Sequence, residues 1–188
     1  MEQLQRLLLN KNLLPYLQKL DGRVLDIGGK NSPYRSQINA TKYEVLDVCP
    51  EFEPDYKVDV HNIQGVIANS TFDSIIATEV LEHCYDPATV ISEFHRILKH
   101  KGVLLLSVPF LYPYHPDPQD YYRYTKDGLK HLFHIFSDVK IIPYGGRFAF
   151  FWEMSTWVFP FLKIFNKLIM MIPVDTNCPS GFVVFATK

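Results

Sequence analysis

Short apolar runs and helix-like apolar stripes alternate along most of the chain. Dense runs of Val, Ile and Leu are typical of buried strands, whereas apolar residues three and four positions apart are typical of one helix face. The pattern predicts helices over 2–20, with a break at Pro15, and from Pro87 to a stop at 99–102, with shorter helices at 34–38 and 126–136. Seven runs are predicted as strands: 24–27, 43–47, 56–60, 72–77, 103–108, 139–142 and 181–187.

Strands that alternate with helices indicate a parallel sheet with crossover helices, so the predicted fold class is α/β. The 188 residues favour a single domain, 1–188, that is long enough for a proper core. Within it we predict an N-terminal helix in 1–21, a substrate loop at 109–124 and an apolar helical insert at 148–172.

Composition narrows the class of protein. An apolar share of 47% and a charged share of 21% are typical of a soluble globular chain. The formal net charge of -1 gives no reason to expect nucleic acid as a partner. The three cysteines form no C-x-x-C pair, which favours a reducing, cytoplasmic compartment. The N-terminal run of three leucines is too short for the core of a signal peptide.

The first predicted strand ends at a pair of glycines, and this turn is the first candidate for chemistry. Gly28 and Gly29 allow a tight turn and a close ligand approach. Asp26 precedes them, and Asp47 closes the next apolar run about twenty residues later, a spacing that suits two ribose hydroxyls. The pattern predicts a nucleoside-containing cofactor in a Rossmann-like site. The alternative is an ordinary turn with a solvent-facing acid.

Four segments together resemble the class I S-adenosylmethionine-dependent methyltransferases, and most closely their small type 11 branch. They are Val24 to Gly29, the strand that ends at Asp47, 72–87 and 93–109. The resemblance implies a three-layer Rossmann-like sandwich whose seven-stranded sheet is mostly parallel with the last strand antiparallel. It also implies S-adenosyl-L-methionine as the cofactor.

The residues that the resemblance assigns to the cofactor follow the ends of the first four strands. They are Asp26, Gly28, Gly29, Asp47, Asp59, Val60, His61, Thr78 and Glu79. Within this set the resemblance implies that Asp47 binds the ribose hydroxyls. Asp59 accepts from the exocyclic amine of adenine, and Glu79 lies beside the sulfonium.

The glycine turn departs from the family pattern, which is Asp-x-Gly-x-Gly-x-Gly. Lys30 and Ser32 occupy the second and third glycine positions of that pattern. Either the turn is reshaped or cofactor affinity is lower, and we expect reshaping. The nicotinamide fingerprint Gly-x-Gly-x-x-Gly is not matched either, which argues against a dehydrogenase.

Candidate acceptor residues follow the fourth and fifth strands. Methyl transfer to a hydroxyl with a high pKa needs a base, usually histidine, and His83 and His115 are the candidate catalytic residues. The alternative for His83 is a helix-start residue held by a backbone carbonyl. We expect four residues of the loop to contact substrate: Tyr112, Asp120, Tyr121 and Arg123.

A structural role for the same loop is also open: Asp120 and Arg123 would form an ion pair and the tyrosines would pack a lid. No metal site is expected, because His131 and His134 lack a carboxylate or cysteine at matching spacing.

The segment 148–172 is very apolar but is interrupted by charges and by Pro160, so it should not span a membrane. Three interpretations remain: an insert packed on the sheet, a homodimer surface, or a segment that rests on a membrane surface. In the last case the acceptor would be lipid-linked.

The sequence therefore predicts a methyltransferase acting on a small-molecule or glycan-like acceptor. The alternative is a non-catalytic partner subunit that binds S-adenosylmethionine.

Overall fold

The sheet has seven strands, as predicted. The structure, a computed structural model, describes residues 3–116 and 118–188. The strands are β1 Asp21–Ile27, β2 Asn39–Asp47, β3 Tyr56–Lys57, β4 Phe72–Thr78, β5 Leu98–Pro109, β6 Asp138–Tyr144 and β7 Gly181–Thr187, in the spatial order β3-β2-β1-β4-β5-β7-β6. Strand β7 runs antiparallel to both of its neighbours, β5 and β6, and the other pairings are parallel. The predicted mostly parallel sheet with an antiparallel last strand is confirmed.

Helices cover both faces of this sheet. They are α1 Leu4–Leu17, α2 Pro87–Ile97, α3 Lys126–Leu132, α4 Arg147–Val158 and α5 Asn166–Ile169. Alternate residues of a strand point to opposite faces. Leu25 of β1 therefore joins the core beneath α2 and α3, whereas Val24 joins the core beneath α1 and α4. The result is the predicted three-layer α/β sandwich.

Local chemistry explains where α2 begins and ends. Asp86 precedes the helix and its carboxylate accepts from the amide of Thr89 (3.1 Å), while Pro87 occupies the first turn. The predicted stop at 99–102 is wrong. Leu98 is fully buried and already pairs with Phe72 of β4, so the chain enters β5 directly.

Other boundaries differ from prediction for equally local reasons. Helix α1 continues through Pro15, so the predicted break at this residue is wrong, and the helix ends two residues later at Leu17. Strand β3 stops at Lys57, because the Asp59 carboxylate accepts from the amide of His61 and caps a short 3₁₀ helix. Helix α3 ends at Leu132, after which Phe133 and Phe136 turn into the core.

The apolar segment 148–172 forms α4, a 3₁₀ helix over Pro160–Phe165 and α5, so Pro160 divides it as its chemistry requires. The buried Glu153 of α4 accepts from the backbone amide of Leu4 (2.8 Å) and so holds the start of α1. Among the described residues, no helix has both the length and the apolar character needed to cross a bilayer.

Candidate functional site

The glycine turn follows β1 at the carboxyl edge of the sheet. Gly28 has a φ of +66°, and a Cβ there would lie 2.7 Å from Val80 Cγ2. A Cβ on Gly29 would lie 2.4 Å from Asp26 Oδ2. Both distances are too short for real contacts, so glycine is required at each position. The turn therefore lies directly on β1 and the start of the segment after β4.

Lys30 and Ser32 take up left-handed backbone conformations, with φ of 43° and 48°. Such a conformation costs an L-residue about 1–2 kcal/mol relative to glycine. At both positions the backbone thus has a conformation that glycine usually adopts, although neither residue is a glycine. The two residues that differ from the family pattern therefore have a strained backbone, and their side chains are exposed (Lys30) or half-exposed (Ser32).

Asp26 supports the turn from beneath. Its carboxylate is buried and accepts from the Tyr43 hydroxyl (2.6 Å), with Ser32 as a second partner. Burial raises the pKa of Asp26 to about 6, against the opposing effect of these hydrogen bonds.

Asp47 lies at the end of β2, beside the turn. Its Oδ2 accepts from the Lys30 amide at 3.4 Å and its Oδ1 from the Cys49 amide at 2.9 Å. The structure thus brings together the two acids and the two glycines that the sequence pattern linked.

The residues predicted at adenine form their own group. Asp59 Oδ1 lies 2.6 Å from Nδ1 of His61, and the adjacent Val60 is buried. The His61 ring stacks on Tyr85 with centroids 3.9 Å apart. Sequence reasoning missed Tyr85, an exposed aromatic ring next to the helix cap Asp86.

Glu79 immediately follows β4, next to Thr78. It has a φ of 54°, and its carboxylate accepts from the Ser107 hydroxyl of β5 (2.8 Å). Burial, together with the nearby Glu82 carboxylate, raises the pKa of Glu79 above its usual range. Glu79 is therefore held at the point where β4 and β5 end.

Both candidate bases lie at one buried carboxylate. Glu82 has no exposed surface, and its Oε1 lies 3.7 Å from Nε2 of His83 and 3.7 Å from Nε2 of His115. Neither carboxylate oxygen has a hydrogen-bond partner among the described residues. We call these three residues the Glu82 cluster. The alternative for His83 is present as well, since its Nδ1 contacts the carbonyl oxygen of Gln119.

The loop predicted to bind substrate is cross-linked internally. Arg123 pairs with Asp120 (2.7 Å to Oδ2) and also donates to the carbonyl oxygen of Pro113 (3.2 Å). The guanidinium holds the pKa of Asp120 at about 2. The ion-pair alternative is thus realised in the structure, and contact of either residue with substrate stays a prediction.

The tyrosines of this loop divide into two kinds: Tyr112 is half-buried, and Tyr121 is exposed while its amide donates to the Glu82 carbonyl oxygen (2.8 Å). Asp117 of the predicted loop lies outside the described residues.

A cavity of about 160 Å³ lies between α1 and this edge of the sheet. Its lining includes Arg6 and Gln5 of α1 together with Glu79, Tyr112, His115 and Tyr144. It is smaller than the roughly 300–1,000 Å³ of a drug-sized ligand site, so it suits a small reacting group. Sequence reasoning missed the α1 side of this wall. The sequence signal for this side of the wall was a polar residue, Gln5, within a leucine-rich predicted helix. In the structure Gln5 is buried, with 7% exposure.

One family model matches most of the chain, and solved structures share its fold. Residues 1–141 match the family model described as a methyltransferase domain. The fold is similar to that of an S-adenosylmethionine-dependent methyltransferase from Archaeoglobus fulgidus, with a TM-score of 0.67 and 16% identity over 98% of this chain and 94% of that one. An S-adenosylmethionine-dependent methyltransferase from Thermotoga maritima gives a TM-score of 0.67 and 14% identity over 98% of this chain and 91% of that one.

A third structure holds ligands. It is a Haemonchus contortus phospholethanolamine N-methyltransferase in complex with phosphomonomethylethanolamine and S-adenosylhomocysteine, with a TM-score of 0.59 and 14% identity over 97% of this chain and 51% of that one. No curated protein matches the chain by sequence.

Replacement of Lys30 by glycine tests the strain in the turn. Lys30→Gly should raise the free energy of unfolding by up to about 1 kcal/mol, because relief of the left-handed conformation exceeds the entropy cost of glycine. Urea denaturation measures the change. Asn31→Gly is the matched control, since Asn31 does not have a positive φ, and it should be destabilising. Equal destabilisation by both variants would contradict the proposed strain.

The raised pKa of Asp26 predicts a pH dependence. A carboxyl whose pKa is higher in the folded than in the unfolded protein is favoured when protonated, so its stabilisation is complete below about pH 4 and is lost as pH rises through about 6. Asp26→Asn should therefore gain stability relative to the unsubstituted protein by about 3 kcal/mol between pH 4 and 7. Denaturation curves across this range measure the difference, and a difference that does not change with pH would contradict the assignment.

Proposed function

The chain belongs to the class I S-adenosylmethionine-dependent methyltransferases, and from this premise we propose that it methylates a hydroxyl group of a small-molecule or saccharide acceptor. S-adenosylmethionine is the cofactor and supplies a methyl group already activated by the positive sulfur. The protein's own residues bind it, align the acceptor and exclude water.

The residues present fit the adenosyl part of this cofactor. The Asp47 carboxylate, 6% exposed, points at the glycine turn, and a carboxylate here suits two ribose hydroxyls. Asp59 and the stacked His61–Tyr85 pair follow the next strand, where an amine acceptor and a flat aromatic surface would bind adenine. Thr78 and Glu79 lie at the end of β4, on the side of the cavity.

The acceptor proposal is carried by one observation: His115 and Glu79 line the small cavity, with Glu82 behind His115. A hydroxyl must lose its proton as it is methylated, whereas a neutral amine can react through its lone pair. A cavity wall that contains an imidazole and the carboxyl group of Glu79, with the Glu82 carboxylate 3.7 Å from that imidazole, therefore offers the base that an oxygen acceptor needs. Tyr112 beside His115 adds an aromatic face suited to a sugar ring.

Matched acceptor panels test this proposal. Purified protein with S-adenosylmethionine should release S-adenosylhomocysteine in the presence of hydroxyl acceptors, including saccharides, and not with amines of the same size. Turnover with amines alone would overturn the choice of acceptor atom. Binding of the cofactor with no turnover on any acceptor would favour a non-catalytic partner subunit.

Asp47→Ala should weaken S-adenosylhomocysteine binding about 10- to 100-fold, since the hydrogen bonds of a charged carboxylate to the ribose are lost. Titration calorimetry measures the affinity. Glu51→Ala, which removes an exposed acid a few residues further on, is the control and should bind normally. Unchanged affinity in Asp47→Ala would show that the ribose is bound elsewhere.

We also propose that this enzyme works at a lipid surface with a lipid-linked acceptor. Large apolar side chains of α4, the following 3₁₀ helix and α5 are exposed, and we call them the apolar surface. They include Phe151 at 66%, Trp157 at 50%, Phe161 at 64%, Ile164 at 62%, Leu168 at 61% and Met171 at 79% exposure.

The charges of this segment favour an anionic membrane over a second copy of the chain. Within 147–172 the one acid is Glu153, which is buried, whereas Lys163 and Lys167 stand among the exposed apolar residues. Helix α4, which carries part of this surface, is joined to the start of α1, beside the cavity lining, because the Glu153 carboxylate accepts from the amide of Leu4.

Vesicle sedimentation tests the lipid proposal. The protein should sediment with vesicles that contain phosphatidylserine and much less with pure phosphatidylcholine. Replacing Phe161 and Ile164 by glutamate should abolish binding, while Val66→Glu, an exposed apolar residue outside the surface, should not. Absence of sedimentation together with concentration-dependent dimers would show that the apolar surface is a homodimer interface.

A further inference from the structure

We propose that the Glu82 cluster binds a divalent transition-metal ion. One ligand atom from each of Glu82, His83 and His115 lies within 4.8 Å of the other two. Two of these residues are adjacent in sequence and the third comes from the loop after β5, so the site exists only in the folded chain.

The first observation is the isolated carboxylate. Glu82 is 0% exposed, and both of its oxygens lack a hydrogen-bond partner among the described residues. A buried charge without a partner costs several kcal/mol, so it must be neutralised. The guanidinium of Arg123 interacts electrostatically with Glu82 but is already paired with Asp120. A cation between Glu82 and the two imidazoles supplies the missing charge.

The second observation is the orientation of the two rings. His83 has its Nδ1 at the Gln119 carbonyl oxygen, and His115 has its Nδ1 3.1 Å from Asp120 Oδ2. Carbonyl and carboxylate oxygens only accept, so each Nδ1 must carry the proton. The Nε2 atom of each ring therefore faces Glu82, and both Nε2 atoms lie 3.7 Å from the same carboxylate oxygen. Because the Glu82 carboxylate raises the pKa of His115, a proton and a metal ion compete for Nε2 of that ring.

A metal ion between these three atoms would satisfy all of them at once, whereas a proton on Nε2 of His115 would satisfy only the Glu82 carboxylate and that ring. Metal-binding histidines almost always use the second ring nitrogen to contact a carboxylate or a backbone carbonyl, which fixes the ring. Here Asp120 contacts the second ring nitrogen of His115, and the Gln119 carbonyl oxygen contacts that of His83. Arg123 in turn pairs with Asp120. The ion pair of the loop therefore acts as a support for the metal site.

The ligand types select the kind of ion. Two imidazole nitrogens and one carboxylate suit Zn²⁺, Mn²⁺, Fe²⁺ or Co²⁺, whereas Mg²⁺ and Ca²⁺ prefer oxygen ligands. Three protein ligands leave coordination positions open, and His115 lines the cavity in which the acceptor is proposed to bind. Glu79 lines the same cavity.

The consequence for catalysis rests on the proposed function, but metal binding itself does not. The bound cation would hold the acceptor hydroxyl at one of its open coordination positions and would lower the pKa of that hydroxyl. The hydroxyl proton then leaves to water, the oxygen forms its bond to the methyl carbon, and the carbon–sulfur bond breaks with its electron pair on sulfur. With a metal ion bound, His115 is a ligand, and the metal ion lowers the pKa of the hydroxyl in place of the imidazole base of the proposed function.

Cobalt binding tests the site without cofactor or acceptor. The chelator-treated full chain, titrated with Co²⁺, should show one equivalent of binding with visible d–d bands. His115→Gln and Glu82→Gln should each weaken Co²⁺ binding at least about 100-fold, since each removes a direct ligand. His134→Gln, at an exposed histidine that pairs with His131 on α3, is the control and should bind as the unsubstituted chain does.

The result that would overturn the proposal is Co²⁺ binding that is absent, or that is unaffected by His115→Gln and Glu82→Gln. Circular dichroism checks that each variant folds, and His83→Gln provides a third variant if Glu82→Gln does not. Stoichiometric metal binding without methyl transfer on any acceptor would reject the proposed function and leave the site intact. Methyl transfer that persists at full rate after chelation, with no Co²⁺ binding, would reject the metal site alone.

Discussion

A carboxylate with no exposed surface organises the edge of the sheet where this enzyme works. Glu82 lies one turn beyond β4, and its backbone carbonyl accepts from the amide of Tyr121 in the loop after β5. Its side chain meets His83 and His115. Because water cannot solvate the carboxylate, the protein must supply positive charge or a proton there. The two imidazoles, the loop and the cavity are arranged around that requirement.

Much of the fold could be predicted from the sequence because the signals are local. The apolar stripe of α2 and its cap at Asp86 depend on neighbouring residues, as do the apolar runs of β1 and β4. Boundaries were less predictable where a distant contact decides them. Leu98 reads as the end of a helix, yet its pairing with Phe72 makes it the first residue of β5. No local pattern contains that pairing.

The candidate site shows the same division. Asp26, Gly28 and Asp47 could be recognised because the strand-turn geometry places them by sequence spacing alone. The Glu82 cluster could not, because His83 and His115 are 32 positions apart in the sequence and meet only when the loop folds over β4. Considered separately, each histidine is a candidate base. Considered with the buried Glu82, whose oxygens have no hydrogen-bond partner among the described residues, they form the cluster for which we propose a metal ion.

Strand β7 lies between β5 and β6, and β6 has no other strand partner in the described chain. The β6 end of the sheet must therefore wait for residues 181–187 to be synthesised before it can close, although β1 to β5 can pair without them. During that interval the open edge of β5 and the hydrophobic helices that precede β7 are both accessible to other molecules. Slow production of this strand would thus expose the nascent protein to aggregation.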